Sequence, residues 1–221
     1  ISKSISDEQK KFNIMLSGGD TVTSNRSSFT IVSLGFSKKI IKRNNAKIGD
    51  DIYVTGNLGD SYIGLNILKK KIYIKKKFKN YFINKYYLPD LPTKIHKFLN
   101  KFANSSLDIS DGLFSDLSKL INKQKVGFNI NADTIPMSKK LKIYIKKNKK
   151  NPLNFISKGD DYQIIFTSSK KHRSYIKKLS KRINQKITLI GTITNQYKQS
   201  WITSNGKLLK PLNYGGYLHN F

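Results

Sequence analysis

Three carboxylates, Asp108, Asp111 and Asp116, fall within nine residues of a 221-residue chain that has 42 Lys and Arg against 13 Asp and Glu. Acids this scarce carry information where they gather. Residues 106–109 alternate polar and apolar side chains and read as the end of a strand, while Leu113, Leu117, Leu120 and Ile121 form one helical stripe. Asp108, Ser110 and Asp111 therefore fall at a strand-to-helix junction. In open α/β sheets, ligands are held beyond the carboxyl ends of strands. Carboxylates there suit a hard cation such as Mg²⁺, which takes oxygen ligands and often binds together with phosphate.

The same acid-at-a-turn arrangement recurs. Gly18-Gly19-Asp20-Thr21 follows Ile14, Met15 and Leu16; Gly59-Asp60-Ser61 follows an expected strand at 52–55; Gly159-Asp160-Asp161-Tyr162 precedes one at 163–167. Glycine at such turns lets backbone approach a ligand closely. A single Asp after Gly is more often a helix N-cap than a metal ligand. Asp60, with Ile63, Leu65, Ile67 and Leu68 behind it, is expected to be such a cap. Asp161 is expected to be a turn residue or to sit behind the ligands, and Asp116 to be an exposed helix acid or to do the same. Asp108 with Asp111 is the instance where the metal reading outweighs the cap.

Around these turns, residues 13–16 and 29–36 read as β runs, and 38–47 as a basic linker. From Gly49 onward strands and helices alternate. Residues 69–87, rich in lysine with interleaved Tyr and Phe, read as a surface excursion. Pro89 and Pro92 bracket a turn into a helix with Ile95, Phe98, Leu99 and Phe102. Further strands are expected at 127–131 and 187–193, and further helices after Pro136 and around Tyr175, Ile176, Leu179 and Ile183. This alternation predicts a layered α/β (α+β) architecture.

Apolar content of 38%, with 12 Phe and 12 Tyr, is enough for a core. No run approaches the roughly 18 apolar residues of a membrane span. Cysteine is absent, which excludes a disulfide framework and a Cys-based zinc site and agrees with a cytoplasmic location. His96, His172 and His219 lack ligand spacing. The formal charge of +29 raises a nucleic-acid reading. It ranks second, because nearly all of the charge is lysine. Arginine, favoured for base-edge and bidentate phosphate recognition, occurs only at 26, 43, 173 and 182. Lysine mixed everywhere with Asn, Ile, Tyr and Phe reads as drift toward A/T-rich codons on solvated faces.

Neither a Ser-His-Asp or Cys-His arrangement nor a P-loop is present. Gly-Gly-Asp, Asp-x-Ser-Asp-Gly and Gly-Asp-Asp-Tyr together suit phosphoryl transfer. That chemistry needs metal ions on phosphate oxygens and an in-line acceptor, and little covalent help. In this order, Gly18-Gly19-Asp20-Thr21, residues 46–56 (AKIGDDIYVTG), Gly59-Asp60-Ser61, Asp108-Ile109-Ser110-Asp111-Gly112-Leu113, Gly159-Asp160-Asp161-Tyr162 and Gly216-Tyr217 resemble the thiamine-monophosphate kinase family. The resemblance runs from about Leu16 to the C-terminus.

The resemblance implies an aminoimidazole ribonucleotide synthetase-like fold and transfer of the ATP γ-phosphoryl group to thiamine monophosphate, with Mg²⁺ and with no phosphoenzyme. It implies Asp20, Asp108 and Asp111 as Mg²⁺ ligands; Gly19, Asp20, Arg43 and Ser110 as ATP contacts; and Asp160 and Tyr217 as substrate contacts. Asp160 stands where the family has a Glu, one methylene longer. Tyr217 would stack on the thiamine moiety. The family also carries acids in an N-terminal segment, in Gly-Asp-Asp, Ser-Thr-Asp and Asn-Leu-Ser-Asp motifs, none of which occurs before Gly18. The expectation is therefore a C-terminal mixed-sheet domain at 44–221 and, at 1–43, a remnant of a β-rich N-terminal domain that dimerises through a shared barrel. A homodimer acting on a small molecule, away from membrane and nucleic acid, is expected. A ligand-binding protein without turnover and a lysine-rich nucleic-acid-binding protein are the rival readings.

Overall fold

A computed structural model describes residues 2–37, 39–197 and 201–209. It divides into two compact units, Ile1–Ser37 and Lys38–Phe221. In the first, helix α1 (Ser2–Phe12) buries no side chain. The β runs expected at 13–16 and 29–36 do not form; both stretches lack secondary structure. Phe29, Ile31, Val32, Leu34 and Phe36 are exposed. An apolar alternating stretch becomes a strand only when a neighbour takes its backbone N–H and C=O groups and a second layer covers one face. The first unit supplies neither.

The second unit is built on a seven-stranded sheet. Its strands are β1 (Asp51–Thr55), β2 (Ala103–Ile109), β3 (Gly127–Asn131), β4 (Gln163–Ser168), β5 (Ile187–Thr194), β6 (Trp201–Ser204) and β7 (Lys207–Leu209). The order is β2-β4-β1-β5-β3-β6-β7. Every neighbouring pair is antiparallel except β3 with β6, so the sheet is mixed. The helices are α2 (Asp60–Leu68), α3 (Lys76–Tyr87), α4 (His96–Leu99), α5 (Leu113–Leu120), α6 (Lys139–Lys147), α7 (Leu153–Ile156) and α8 (Arg173–Arg182).

Period-two alternation sends successive strand residues to opposite faces. Ile52 and Val54 of β1 join Ile109, Ile165, Ile190 and the Leu113–Leu117–Leu120 stripe of α5. Tyr53, between them, faces the other way with Phe166, against Leu99 of α4 and Ile176 and Leu179 of α8. The Tyr53 and Phe166 rings stack with centroids 5.2 Å apart. A third cluster joins Ile63 and Ile67 of α2, Phe82 of α3, Leu141 and Ile145 of α6, and Phe155 of α7. Residues 76–87 are thus more than a surface excursion. Their aromatic spacing turns Phe82 inward while the lysines stay in water, and α3 crosses α2 so closely that a Cβ on Gly64 would meet the Phe82 carbonyl oxygen at 2.1 Å.

Ser138 is the N-cap of α6: its hydroxyl oxygen accepts from Leu141 N–H and its O–H donates to Asp60 Oδ1 at 2.7 Å. Losing both bonds in Ser138→Ala should cost about 1–2 kcal/mol. Urea denaturation would read this as a lower midpoint at unchanged slope.

Candidate functional site

Strand β2 delivers Asp108 to its exposed side and ends at Ile109; Ser110, Asp111 and Gly112 then turn the chain into α5. Gly112 has φ +118, and a Cβ there would meet the Ser157 carbonyl oxygen at 2.2 Å, so both conformation and close approach demand glycine. Asp116 holds this turn in shape. One of its oxygens accepts from Asp111 N–H at 2.9 Å and from Gly112 N–H at 3.1 Å. It is 1% exposed, so the exposed-acid reading is corrected. One helical turn below Asp111, its carboxylate reaches the backbone donors that open α5, where negative charge is favoured. Lys119 Nζ bridges Asp111 and Asp116. Burial disfavours the Lys119 cation, but bonds to the two carboxylates outweigh it and raise its pKa.

The Gly159–Tyr162 loop closes over this strand end. Ile109 pairs with Gln163 across the sheet, which fixes the loop opposite Ser110. Asp160 N–H donates to Ser110 C=O and Tyr162 N–H to Ile109 C=O, both at 2.9 Å. Asp160 and Tyr162 both have positive φ. The Asp160 carboxyl is pushed up, chiefly by burial and then by the Asp111 charge, with Lys69 opposing. Burial also raises the Tyr162 hydroxyl, with the charges of Asp160, Asp108 and Asp111 adding to it. Asp108, Ser110, Asp111 and Asp160 therefore share one strand end.

Asp161 turns the opposite way, into the protein. It is 4% exposed, and its Oδ2 accepts from Gly59 N–H at 2.8 Å. Burial pushes its carboxyl up to about 8. Beside it, Asp60 is buried too and accepts from Tyr81 O–H at 2.8 Å and from Ser138. Burial raises Asp60 as well. The expected capping role of Asp60 is corrected, since Gly59 is the N-cap of α2 and Asp60 is its first residue. Sequence reading missed Lys119 and the pairing of Asp60 with Asp161, while Asp116 and Asp161 take the second of their expected roles, behind the outward acids. The i, i+3 spacing of Asp116 and Lys119 was a visible signal. The meeting of Asp161 with Gly59, 102 residues apart, had none.

Arg43 is exposed at a bend. Asn44, next to it, donates from its N–H to Leu120 C=O, which sets this corner at the far end of α5 from Asp111, about 12 Å along an eight-residue helix. Gly19 and Asp20 belong to the first unit, on exposed chain, where Asp20 Oδ1 accepts from Thr21 N–H. Tyr217 and His219 lie outside the described residues. Among the described residues, no group of three or more His, Asp or Glu side chains is arranged to hold a metal ion. Again among the described residues, no helix is long and apolar enough to cross a membrane.

No protein-family model matches the chain. The fold is shared with the solved structure of E. coli HypE, a hydrogenase maturation protein, at TM-score 0.56 and 11% identity over 79% of this chain and 52% of that one. The solved structure "AaThiL complexed with AMPPCP and TMP" matches at TM-score 0.65 and 30% identity, covering 81% of this chain and 54% of that one. The fold is that of a mixed α/β protein of the aminoimidazole ribonucleotide synthetase-like class. The thiamine-monophosphate kinase of Buchnera aphidicola subsp. Acyrthosiphon pisum is 43% identical over 83% of this chain and 57% of its own length. The E. coli K12 enzyme of that name is 31% identical over 99% of this chain and 67% of its own length. The chain belongs to the thiamine-monophosphate kinase family and spans about half to two thirds of the length of the curated relatives it matches.

Proposed function

We infer that the protein transfers the γ-phosphoryl group of ATP to thiamine monophosphate, giving thiamine diphosphate and ADP. A phosphate oxygen of thiamine monophosphate bonds to the γ-phosphorus as the bond to the β–γ bridging oxygen breaks. The acceptor brings its own nucleophile, so no activated side chain is required. The observation that carries this reading is the bonding of the Gly159–Tyr162 loop to Ile109 and Ser110, which brings Asp160 to the same strand end as Asp108 and Asp111. The kinases named above, and a solved relative complexed with AMPPCP and TMP, support it.

Asp108 and Asp111 offer the oxygen donors that Mg²⁺ prefers, so the donor chemistry fits. They would hold Mg²⁺, and the bound ion would neutralise phosphate charge. Lys119 competes for Asp111 while no cation is bound. The Ser110 hydroxyl would donate to a phosphate oxygen, and Arg43 would contact ATP. Asp160 would face the thiamine cation, with Tyr217 stacked on its ring. The same reading implies a cytoplasmic homodimer.

Titration calorimetry with Mg-ATP and thiamine monophosphate, followed by assay for thiamine diphosphate, tests this. Binding without product would favour the ligand-binding reading; neither binding nor product would end both. Asp111→Asn should weaken Mn²⁺ binding, read by electron paramagnetic resonance, by about tenfold or more. Equal Mn²⁺ affinity in the two proteins would remove Asp111 from the ligand set.

A further inference from the structure

At the other end of the sheet lies a cavity of about 400 Å³, lined by Lys47, Gly49, Asp50, Lys170, Lys171 and His172 among others. Strand β2 runs from Ala103, beside this cavity, to Ile109, at the strand-end site, so about 20 Å of strand separates the two. Ligand pockets commonly enclose about 300–1,000 Å³.

The charges around it are unevenly satisfied. Arg173, next to His172, spends its guanidinium on the buried Asp51, with Nε at 2.6 Å and Nη2 at 2.7 Å from the carboxylate oxygens. Asp50 is buried as well, and its carboxylate accepts from Lys47 N–H at 2.9 Å and from the Asn104 amide at 2.8 Å. Lys47, Lys170 and Lys171 are exposed, and among the described residues none has a carboxylate within ion-pair distance. His172 turns Nδ1 toward Ser168 Oγ at 3.2 Å, which leaves Nε2 as the ring's other polar atom. Three lysines line one concavity that holds a single acid, which already has two donors. Such an arrangement lacks a cation's ligands and holds an anion's.

We propose that this cavity, framed by Lys47, Lys170, Lys171 and His172, is a second ligand site that binds a small, multiply charged phosphate anion. Lysine meets phosphate as a point charge and needs no fixed fork geometry. The residue with a fork, Arg173, is already committed to Asp51. A nucleic-acid strand demands an extended charged track, whereas Lys47, Lys170 and Lys171 gather at one concavity of about 400 Å³. The site is independent of the strand-end chemistry, because its lysines need no metal to hold phosphate.

That independence gives the test. The chain is titrated with pyrophosphate at about 0.1 M salt with EDTA present, so that a carboxylate site cannot bind phosphate through a divalent ion. The expected result is saturable binding that shifts the His172 ring resonances. The triple variant Lys47→Ala, Lys170→Ala, Lys171→Ala should lose affinity tenfold or more. The control triple Lys75→Ala, Lys76→Ala, Lys77→Ala, on the exposed start of α3, should keep it. Circular dichroism should be unchanged in both. No binding by the parent chain, or equal loss in the two triples, overturns the proposal. A 12-nucleotide RNA should fail to displace pyrophosphate at near-physiological salt; displacement would assign the face to nucleic acid and overturn the small-anion assignment.

Discussion

On the proposed function, Gly159→Ala should weaken binding of thiamine monophosphate, with affinity falling on the order of 100-fold. A Cβ at position 159 would stand 1.8 Å from the Ser110 carbonyl oxygen and 2.8 Å from its carbon. Both are backbone atoms at the end of β2, so neither can swing aside as a flexible side chain would. The loop must retreat. It then loses the Asp160 N–H bond to Ser110 C=O and the Tyr162 N–H bond to Ile109 C=O. Asp160 is carried away from Asp111. Taking one partner from a desolvated charge contact costs about 2–5 kcal/mol of binding, a range that includes a 100-fold loss. Overpacking of this kind should also lower stability by about 1–3 kcal/mol. Calorimetric titration and urea denaturation read the two effects. Gly18→Ala is the control, because nothing lies within 4 Å of a Cβ there. Parent-like affinity in Gly159→Ala would show that loop closure does not position Asp160.

The second large effect is a stability that declines as pH rises through the neutral range. Asp161 is buried, and burial, helped by the Asp60 charge, lifts its carboxyl from the ordinary carboxylate range to about 8, against donors from Gly59 and Ser61. Between about pH 4 and about pH 8 the folded protein keeps this proton and the unfolded chain releases it. Stability is thus full below the unfolded value and is lost as pH rises, by up to about 1.4 kcal/mol per pH unit for one proton. Above about pH 8 the loss levels off. Asp60 is raised as well, so its contribution has the same sign. Asp161→Asn keeps the shape and an oxygen acceptor for Gly59 N–H but cannot ionise. The variant should show a flatter pH profile than the parent and the higher melting temperature above pH 8. Thermal melts from pH 4.5 to 8.5 check this. Parallel profiles for the two proteins would mean that Asp161 does not change protonation on unfolding.

These two outcomes concern one structural fact. The Gly159–Tyr162 loop faces both ways: Asp160 goes to the strand-end acids, and Asp161 goes to the backbone at the start of α2. A loop pinned on both sides holds its outward carboxylate with little freedom to reorient, which is what binding a compact cation requires. The inward carboxylate is held at a cost that depends on pH.

Much of this was legible from residue order. Ile52, Tyr53 and Val54 read as a strand because β-branched and aromatic residues fit a pleated surface, and alternation assigns Ile52 and Val54 to one face and Tyr53 to the other. The Leu113–Leu117–Leu120 stripe read as α5 because 3.6-residue periodicity is local. The junction between strand and helix, and so the shared place of Asp108, Ser110 and Asp111, followed from those two periods. The runs at 13–16 and 29–36 are as rich in apolar residues, yet they form no strands. Local pattern states what a segment can become, while pairing partners decide whether it does.

Spacing along the chain determined the kinds of groups present, their turn settings and the faces of each element, because those depend on neighbours a few residues away. Only the tertiary structure decided that Asp160 reaches Asp111, that Asp161 and Asp60 are driven inward, that Asp116 steadies a turn, and that Lys47 meets Lys170 and Lys171. Burial and long-range Coulomb energy arise from residues far apart in sequence. Both depend on a sheet order, β2-β4-β1-β5, that no local period encodes.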